Sequence, residues 1–292
     1  MINPNDREPF LSELKLRNRG LISNDDQRRL SEAVFLVAGC GSTGGAVIEP
    51  LVRAGALHFI LLEPGNYELN NLNRQHATLE ALGQNKAAWL AKEVKAINPY
   101  LDIEVYEKGI ALDNAKFFCE RASLIIDAVD VTTKSGLAAK CVLHDAAVQA
   151  RRPTVSAYDL AYRQYIRVYD YRRLREAFAG KVERVRKAKT PTEALSGLIP
   201  FWTIPYELLQ EIERLIDEPG ASISQLGCTA DLFGAIAVPL ALELLAGRPV
   251  KSEYMIDLKE ACLPLSKKIE QKIRTLLGLI RIKKRLLKGG RE

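Results

Sequence analysis

The residues with the clearest chemical use are three glycines spaced Gly39-x-Gly41-x-x-Gly44, with Ser42 inside the loop they form. An apolar run at 34–38 precedes them. A helix-periodic stretch, Ile48, Leu51, Val52 and Ala54, follows. Between a strand and a helix, the first glycine permits a tight turn, the second lets backbone approach phosphate, and the third lets the helix pack closely. The helix N-terminus adds amide donors and a partial positive charge. Gly39, Gly41, Ser42 and Gly44 are therefore candidate nucleotide-binding residues. The next apolar run, 59–62, ends at Glu63, whose carboxylate can accept both hydroxyls of a ribose. To this point NAD, FAD, S-adenosylmethionine and ATP all fit.

The stretch Asn71-Leu72-Asn73-Arg74-Gln75 separates them. A dinucleotide has little use for an Asn, an Arg and a Gln directly after the ribose acid. A triphosphate does: Arg offers a fixed fork to phosphate oxygens, and the amides of Asn71 and Gln75 orient them. Lys86 opens the following helix with a second cation. Asp127 and Asp130 follow another apolar run. An acid at the C-terminal end of a strand faces the ligand crevice and suits Mg²⁺. Arg74, Lys86 and Asp130 are the candidate catalytic residues, with Asp130 the candidate metal ligand.

These residues need a scaffold that gathers strand ends. The runs at 34–38, 59–62 and 124–127 are continuous rather than alternating, as in parallel strands covered on both faces. Further strands are read at 101–106, 154–157, 165–169 and 254–257, and helices at 86–97, 138–150 and 232–245. The alternation predicts an α/β, Rossmann-like fold, its sheet mostly parallel with helices on both faces. Residues 171–226 break the rhythm. A charged helix is read at 174–188, a proline-punctuated loop holds Phe201 and Trp202, and a short amphipathic helix covers 207–216. This is read as a helical and loop insertion or lid. A basic helix closes the chain at 269–287. The organisation expected is an N-terminal arm (1–30), a nucleotide-binding core (31–170), the insertion (171–226), a return to the core (227–262) and the basic C-terminal helix (263–292).

Hydrophobic residues make up 47% of the chain and charged residues 27%, enough to bury a sizeable core. No uninterrupted apolar run approaches the ~20 residues of a membrane helix, so no membrane partner is expected. The polar N-terminus does not read as a secretory signal, and the expected location is the cytoplasm. The five cysteines stand singly, which argues against a four-cysteine zinc site and against a disulfide scaffold. The net charge is +6, and residues 267–291 hold ten Lys or Arg against Glu270 alone. No interleaved aromatics or reader motif accompany them, so nucleic acid is not the expected partner.

Taken together, Gly39 to Gly44, Glu63, the Asn71–Gln75 stretch, Lys86 and Asp130 resemble the ATP site of the ThiF/MoeB/HesA family, adenylyltransferases related to the ubiquitin-activating enzymes. Residues 16–23 also resemble that family's leading segment. The likeness covers 16–157 and 232–247 and fades between them. It implies use of Mg-ATP to adenylate the C-terminal carboxylate of a small protein or peptide, one with a Gly-Gly or similar tail. It implies a homodimer in which Arg19 crosses to the partner's phosphates, while Glu63 holds ribose and Arg74, Lys86 and Asp130 serve the triphosphate and its Mg²⁺.

Three departures stand out. The family usually has Asp at Glu63 and a second acid at Gly65. Many members carry zinc-binding Cys pairs, absent here. Many also carry a thioester-forming Cys. Cys228 lies near that region, and its flanks, Leu226-Gly227 and Leu232-Phe233, read as a buried thiol. Two other readings stay open: a non-catalytic nucleotide- or peptide-binding adaptor of the same fold, and an NAD-dependent oxidoreductase. The second leaves the Asn71–Gln75 stretch, Lys86 and Asp130 without a role.

Overall fold

The computed structural model describes residue 3, residues 5–218 and residues 223–289. The boundaries drawn above at both chain ends, and within 171–226, include residues outside this set.

In chain order the elements begin with helices α1 (Arg7–Leu14) and α2 (Asn24–Glu32), then strand β1 (Val34–Ala38), α3 (Ser42–Ala54) and β2 (His58–Leu62). Next come α4 (Lys86–Ile97), β3 (Asp102–Tyr106), α5 (Ala115–Arg121), β4 (Leu124–Asp127) and α6 (Lys134–Ala150). A hairpin of β5 (Pro153–Leu160) and β6 (Arg163–Asp170) follows. The remainder is α7 (Val182–Lys187), α8 (Pro191–Leu198), α9 (Tyr206–Asp217), α10 (Gly227–Leu245), β7 (Glu253–Asp257), α11 (Leu258–Cys262) and α12 (Leu265–Gly289).

The strands form one sheet in the order β3-β2-β1-β4-β5-β6-β7. Neighbours from β3 to β5 pair in parallel, and β6 and β7 pair antiparallel. The mostly parallel, two-faced sheet expected from sequence is therefore present. The strand order reverses at β1. Ala38 is level with Leu62 on one side and Asp127 on the other. The chain leaves all three strands at the same edge, which makes the crevice where open α/β sheets bind ligands.

Each face carries its own core. One is built from α3, α4 and α10 against Phe35, Val37, Phe59 and Leu61. The other packs α5 and α6 against Leu36, Ile60 and Ile125, and residues of the 171–199 stretch (Tyr171, Phe178, Val185, Leu198) join it.

Two readings need correction. Residues 174–188 are not one helix: Phe178 and Ala179 take φ of 52° and 53°, which breaks the chain into a short 3₁₀ turn before α7. Burial of Phe178 against His144 (ring centroids 4.1 Å apart) overrides the local helical preference. The expectation that no stretch approaches the length of a membrane helix is also corrected, at α10. This helix has 19 residues and, by length and composition alone, could cross a bilayer, although Asp231 and Glu243 interrupt its apolar stretch. In this fold its face of Phe233, Ala237, Ala241 and Leu244 is buried in the core with α3.

Candidate functional site

The glycine loop does what its spacing predicts. Gly39 has φ +91°, and a Cβ there would stand 2.3 Å from the Ala128 carbonyl oxygen. A Cβ at Gly44 would fall 1.9 Å from the Gly39 oxygen, so the loop can fold back on α3 only with glycine. Gly41 differs. The nearest atom to a Cβ there is Gln75 Nε2 at 3.9 Å, which leaves its backbone accessible to a ligand.

Glu63 is buried beneath this loop, 8% exposed. Its Oε2 accepts the Cys40 N–H at 2.7 Å and its Oε1 accepts the Gly65 N–H at 2.8 Å. Each oxygen keeps a lone pair for a ribose hydroxyl. Behind it the Cys40 thiol is buried, and burial pushes its pKa well up, so it packs rather than reacts.

The Asn71–Gln75 stretch follows a single 3₁₀ turn, Leu69–Asn71. The Asn71 amide is spent inside that turn: Oδ1 accepts the Glu68 N–H at 3.1 Å and Nδ2 donates to Asn70 Oδ1 at 2.6 Å. Asn71 thus holds the turn that carries Arg74 and Gln75, rather than offering its own amide to phosphate as the sequence suggested. Gln75 is 7% exposed, and its Oε1 has no partner. Arg74 spends Nη1 on Asn70 O and Asn73 Oδ1, at 2.8 and 2.9 Å, while its Nε is buried without a partner. Unpaired buried polar atoms cost free energy unless a ligand or water completes them. The two on neighbouring residues beside an open glycine backbone differ in kind: the Arg74 Nε donor fits an anion, and the Gln75 amide oxygen fits a hydroxyl or amine donor or water.

Lys86 opens α4, and its N–H donates to Gly65 O at 3.1 Å. The ammonium lies 5.9 Å from the Tyr67 ring centroid. It makes no ion pair among the described residues. Asp130 is exposed past β4, its carboxylate oriented by the Thr132 N–H at 2.8 Å and the Thr132 hydroxyl at 2.8 and 3.0 Å. No cluster of three metal-ligating acids, His or Cys occurs among the described residues. Asp130 is thus a single exposed carboxylate at this edge, and Mg²⁺ is commonly held by one or two carboxylates with phosphate oxygens and water completing its shell.

Asp127, the other acid singled out at this edge, does not face the crevice. It is fully buried, ion-paired with Lys140, and accepts from His144 Nε2 at 2.8 Å and Ser156 Oγ at 2.5 Å. Burial would raise its pKa, but Lys140 and His144 outweigh that and hold it well below the ordinary carboxylate range. The Tyr171 hydroxyl accepts the Phe178 N–H at 3.1 Å and lies 2.5 Å from His144 Nδ1. The tyrosine therefore donates to Nδ1, and His144 donates from Nε2 to Asp127. Burial pushes His144 below its usual pKa, in keeping with that neutral imidazole.

Arg19 is not brought to this site. It lies on the exposed N-terminal arm beside a cavity of about 210 Å³, with its Nη2 donating to Ser12 Oγ at 3.3 Å. The arm docks at the C-terminal end of α3, where Asn18 Nδ2 donates to Ala54 O at 3.0 Å. The glycine loop is at the other end of that helix, about 20 Å away at 1.5 Å per residue.

Residues 15–266 match the ThiF family. The chain belongs to the ThiF family. The sulfur carrier protein adenylyltransferase of Thermus thermophilus is 31% identical over 135 residues, 46% of this chain and 48% of that protein. The heterocyst HesA protein of Trichormus variabilis is 31% identical over 160 residues, 54% and 57% of the two chains. The chain thus spans about half the length of these ThiF relatives. Among solved structures, Escherichia coli MccB with AMPCPP and MccA superposes with TM-score 0.62 at 16% identity, over 88% of this chain and 70% of MccB. The E. coli tRNA N6-threonylcarbamoyladenosine dehydratase TcdA gives 0.57 at 18% identity, over 83% of this chain and 98% of TcdA. At these identities the likeness is one of fold.

Two residues differ from the sequence reading: Cys228, expected to be buried, and Asp159, which that reading did not single out. Cys228 is exposed in the first turn of α10, not buried; its neighbour Gly227 backs onto Arg74, a Cβ there standing 3.3 Å from Arg74 Cα. Asp159, near the C-terminal end of β5, was not considered at all. Its Oδ2 accepts from Ser42 Oγ at 3.5 Å and Thr43 Oγ1 at 3.4 Å. The strand-end rule that singled out Asp127 and Asp130 applies equally to Asp159 and would have found it.

Proposed function

We propose that this chain binds Mg-ATP at the crevice beyond β1, β2 and β4 and adenylates the C-terminal carboxylate of a small protein or peptide. The observation that carries this is the open Gly41 backbone, with the Gln75 amide beside it and the buried, unpartnered Arg74 Nε donor on the adjacent residue, in the crevice that Lys86 and Asp130 also border. The glycine loop and the N-terminus of α3 take phosphate oxygens, and Glu63 takes the ribose. Arg74 and Lys86 offset negative charge on the triphosphate. Asp130 would hold Mg²⁺, which would supply charge neutralisation to the polyphosphate. An oxygen of the substrate carboxylate forms a bond to the α-phosphorus. The bond to the β-phosphate bridging oxygen breaks, and pyrophosphate carries the electron pair away. Positioning and charge account for the rate, and no side chain becomes covalently linked.

The relatives inform the substrate. One acts on a sulfur carrier protein, and the MccB structure contains MccA. We extend this to a slim tail such as Gly-Gly, which can thread a narrow approach to phosphate. The active unit in this reading is a homodimer completed by Arg19 from the second subunit.

Calorimetric titration with Mg-ATP and with NAD, followed by ATP–pyrophosphate exchange with small Gly-Gly-ended proteins, tests the proposal. Binding of Mg-ATP and partner-dependent exchange are expected. NAD binding without ATP binding would overturn it. ATP binding without exchange across such partners would leave an adaptor.

A further inference from the structure

Asp159 places a carboxylate where the nucleotide reading needs room for phosphate. It lies near the end of β5, half-buried, and its Oδ2 rests on the hydroxyls of Ser42 and Thr43 at the N-terminal turn of α3. Its Oδ1 faces β6. Gln164, opposite it in the hairpin and fully buried, directs its amide nitrogen to Asp159 Oδ1 and to the Thr229 carbonyl of α10, both at 2.7 Å. Ser42 Oγ also lies 3.3 Å from the Arg74 carbonyl, so its single proton is shared between that oxygen and Asp159, and the hydroxyl sits between Asp159 and the segment that carries Arg74. Three elements therefore fix this carboxylate against the glycine loop.

The arrangement is electrostatically unusual. A helix N-terminus and a glycine loop favour a negative charge, and Asp159 already supplies one. Its neighbours from α3, β6 and α10 are neutral: Ser42, Thr43, Gln164 and the Thr229 carbonyl. The charge acting on it, among the described residues, is that of Arg74. Burial pushes its pKa up to about 6, with the hydroxyl and amide donors and Arg74 opposing. A nucleotide phosphate on the same loop would set a second anion beside it and draw Arg74 away. Both effects favour the protonated acid.

We propose that Asp159 is a proton-coupled positioning residue of the nucleotide site: it holds Ser42 and Thr43 as a carboxylate, and takes a proton from solvent when the polyphosphate binds. The inference rests on the ATP reading above. Once protonated, Asp159 is a hydrogen-bond donor, so the same side chain that braces the loop no longer repels the ligand. Binding then consumes a proton, and Mg-ATP affinity falls as pH rises above about 6, approaching tenfold per pH unit while the bound form stays protonated.

The test is Mg-ATP calorimetry on the full chain at pH 6.0 to 8.0, in paired buffers of different ionisation enthalpy. Wild type is expected to take up a substantial fraction of a proton per site at pH 7. Asp159→Asn, isosteric and always neutral, is expected to abolish that uptake and to bind more tightly than wild type at pH 8. Titrating both proteins with the same ligand cancels the protonation of ATP itself. Equal proton uptake in the two proteins would overturn the inference, as would loss of ATP binding in a folded Asp159→Asn. Should that variant not fold, the wild type still decides: ATP binding without uptake at pH 7 overturns it. No ATP heat from wild type at any pH would instead remove the nucleotide reading, and this inference with it.

Discussion

Glu63 Oε1 accepts the Gly65 N–H at 2.8 Å, and a Cβ on Gly65 would stand 2.8 Å from that same oxygen. The two departures from the family pattern at these positions are therefore one arrangement. Glutamate reaches one methylene further than aspartate, its carboxylate folds back over residue 65, and only glycine leaves room. The missing second acid also leaves Lys86, whose Nζ would lie 3.7 Å from that Cβ, without a carboxylate neighbour there.

That coupling gives the first prediction. Gly65→Ala should push the Glu63 carboxylate off the Cys40 and Gly65 amides and weaken Mg-ATP binding by about tenfold or more, roughly one charge-assisted hydrogen bond. The pair Glu63→Asp with Gly65→Asp should bind better than Gly65→Asp alone, because the shorter acid withdraws. A calorimetric double-mutant cycle reads this directly. Additive effects would show that the two positions act independently.

Arg74→Ala and Asp130→Ala should each lower ATP–pyrophosphate exchange by about 10²–10³-fold, the loss seen when one preorganised charge-stabilising group is removed. Asp130 is exposed, and the Arg74 side chain hydrogen-bonds only within its own segment, so thermal unfolding should be nearly unchanged. Near-normal exchange in either pure variant would remove it from the site.

The parts legible in the sequence were those set by the backbone. Glycine spacing, strand ends and helix starts are local, and Gly39, Gly41, Gly44 and Glu63 fell where the pattern put them. The parts not legible depend on which way a side chain turns. Asp127 and Asp130 are three residues apart and alike in composition, yet one is sealed by Lys140 and His144 while the other is exposed. Cys228 has apolar neighbours on both sides, yet its place in the first turn of α10 leaves it exposed. Asp159 stands near a strand end, where the rule used for Asp127 and Asp130 could flag it, but its contact with Thr43, 116 residues away in sequence, is not a local pattern.

The buried Asp127 network should dominate acid sensitivity. Lys140→Met removes the principal partner of a fully buried carboxylate and should cost about 3–5 kcal/mol, read from urea unfolding. Asp127 and His144 both have folded pKa values below their unfolded ones. Their contributions are therefore present above the unfolded values and lost as pH falls: His144 from about pH 6.5 downward, and Asp127 from about pH 4 downward. Between pH 7 and 4 the wild type should lose stability progressively. His144→Gln should start less stable and show a flatter dependence over that range. An unchanged slope in this variant would place the acid sensitivity elsewhere.

The last prediction concerns Arg19, which the fold sets at the far end of α3 from its own glycine loop. If it serves ATP at all, it serves a second subunit's. Arg19→Ala and Arg74→Ala should each be nearly inactive alone. In a mixed dimer one site then carries both lesions and the other carries neither. Equal mixing with free exchange of subunits should restore roughly a quarter of wild-type exchange activity, since half the dimers are mixed and each has one intact site. Light scattering should show a dimer throughout, because an exposed arginine on the arm is not part of either core. Activity that stays at the level of the separate variants, in a mixture shown to have exchanged subunits, would mean that Arg19 does not cross. A fully active wild-type monomer would exclude the composite site altogether.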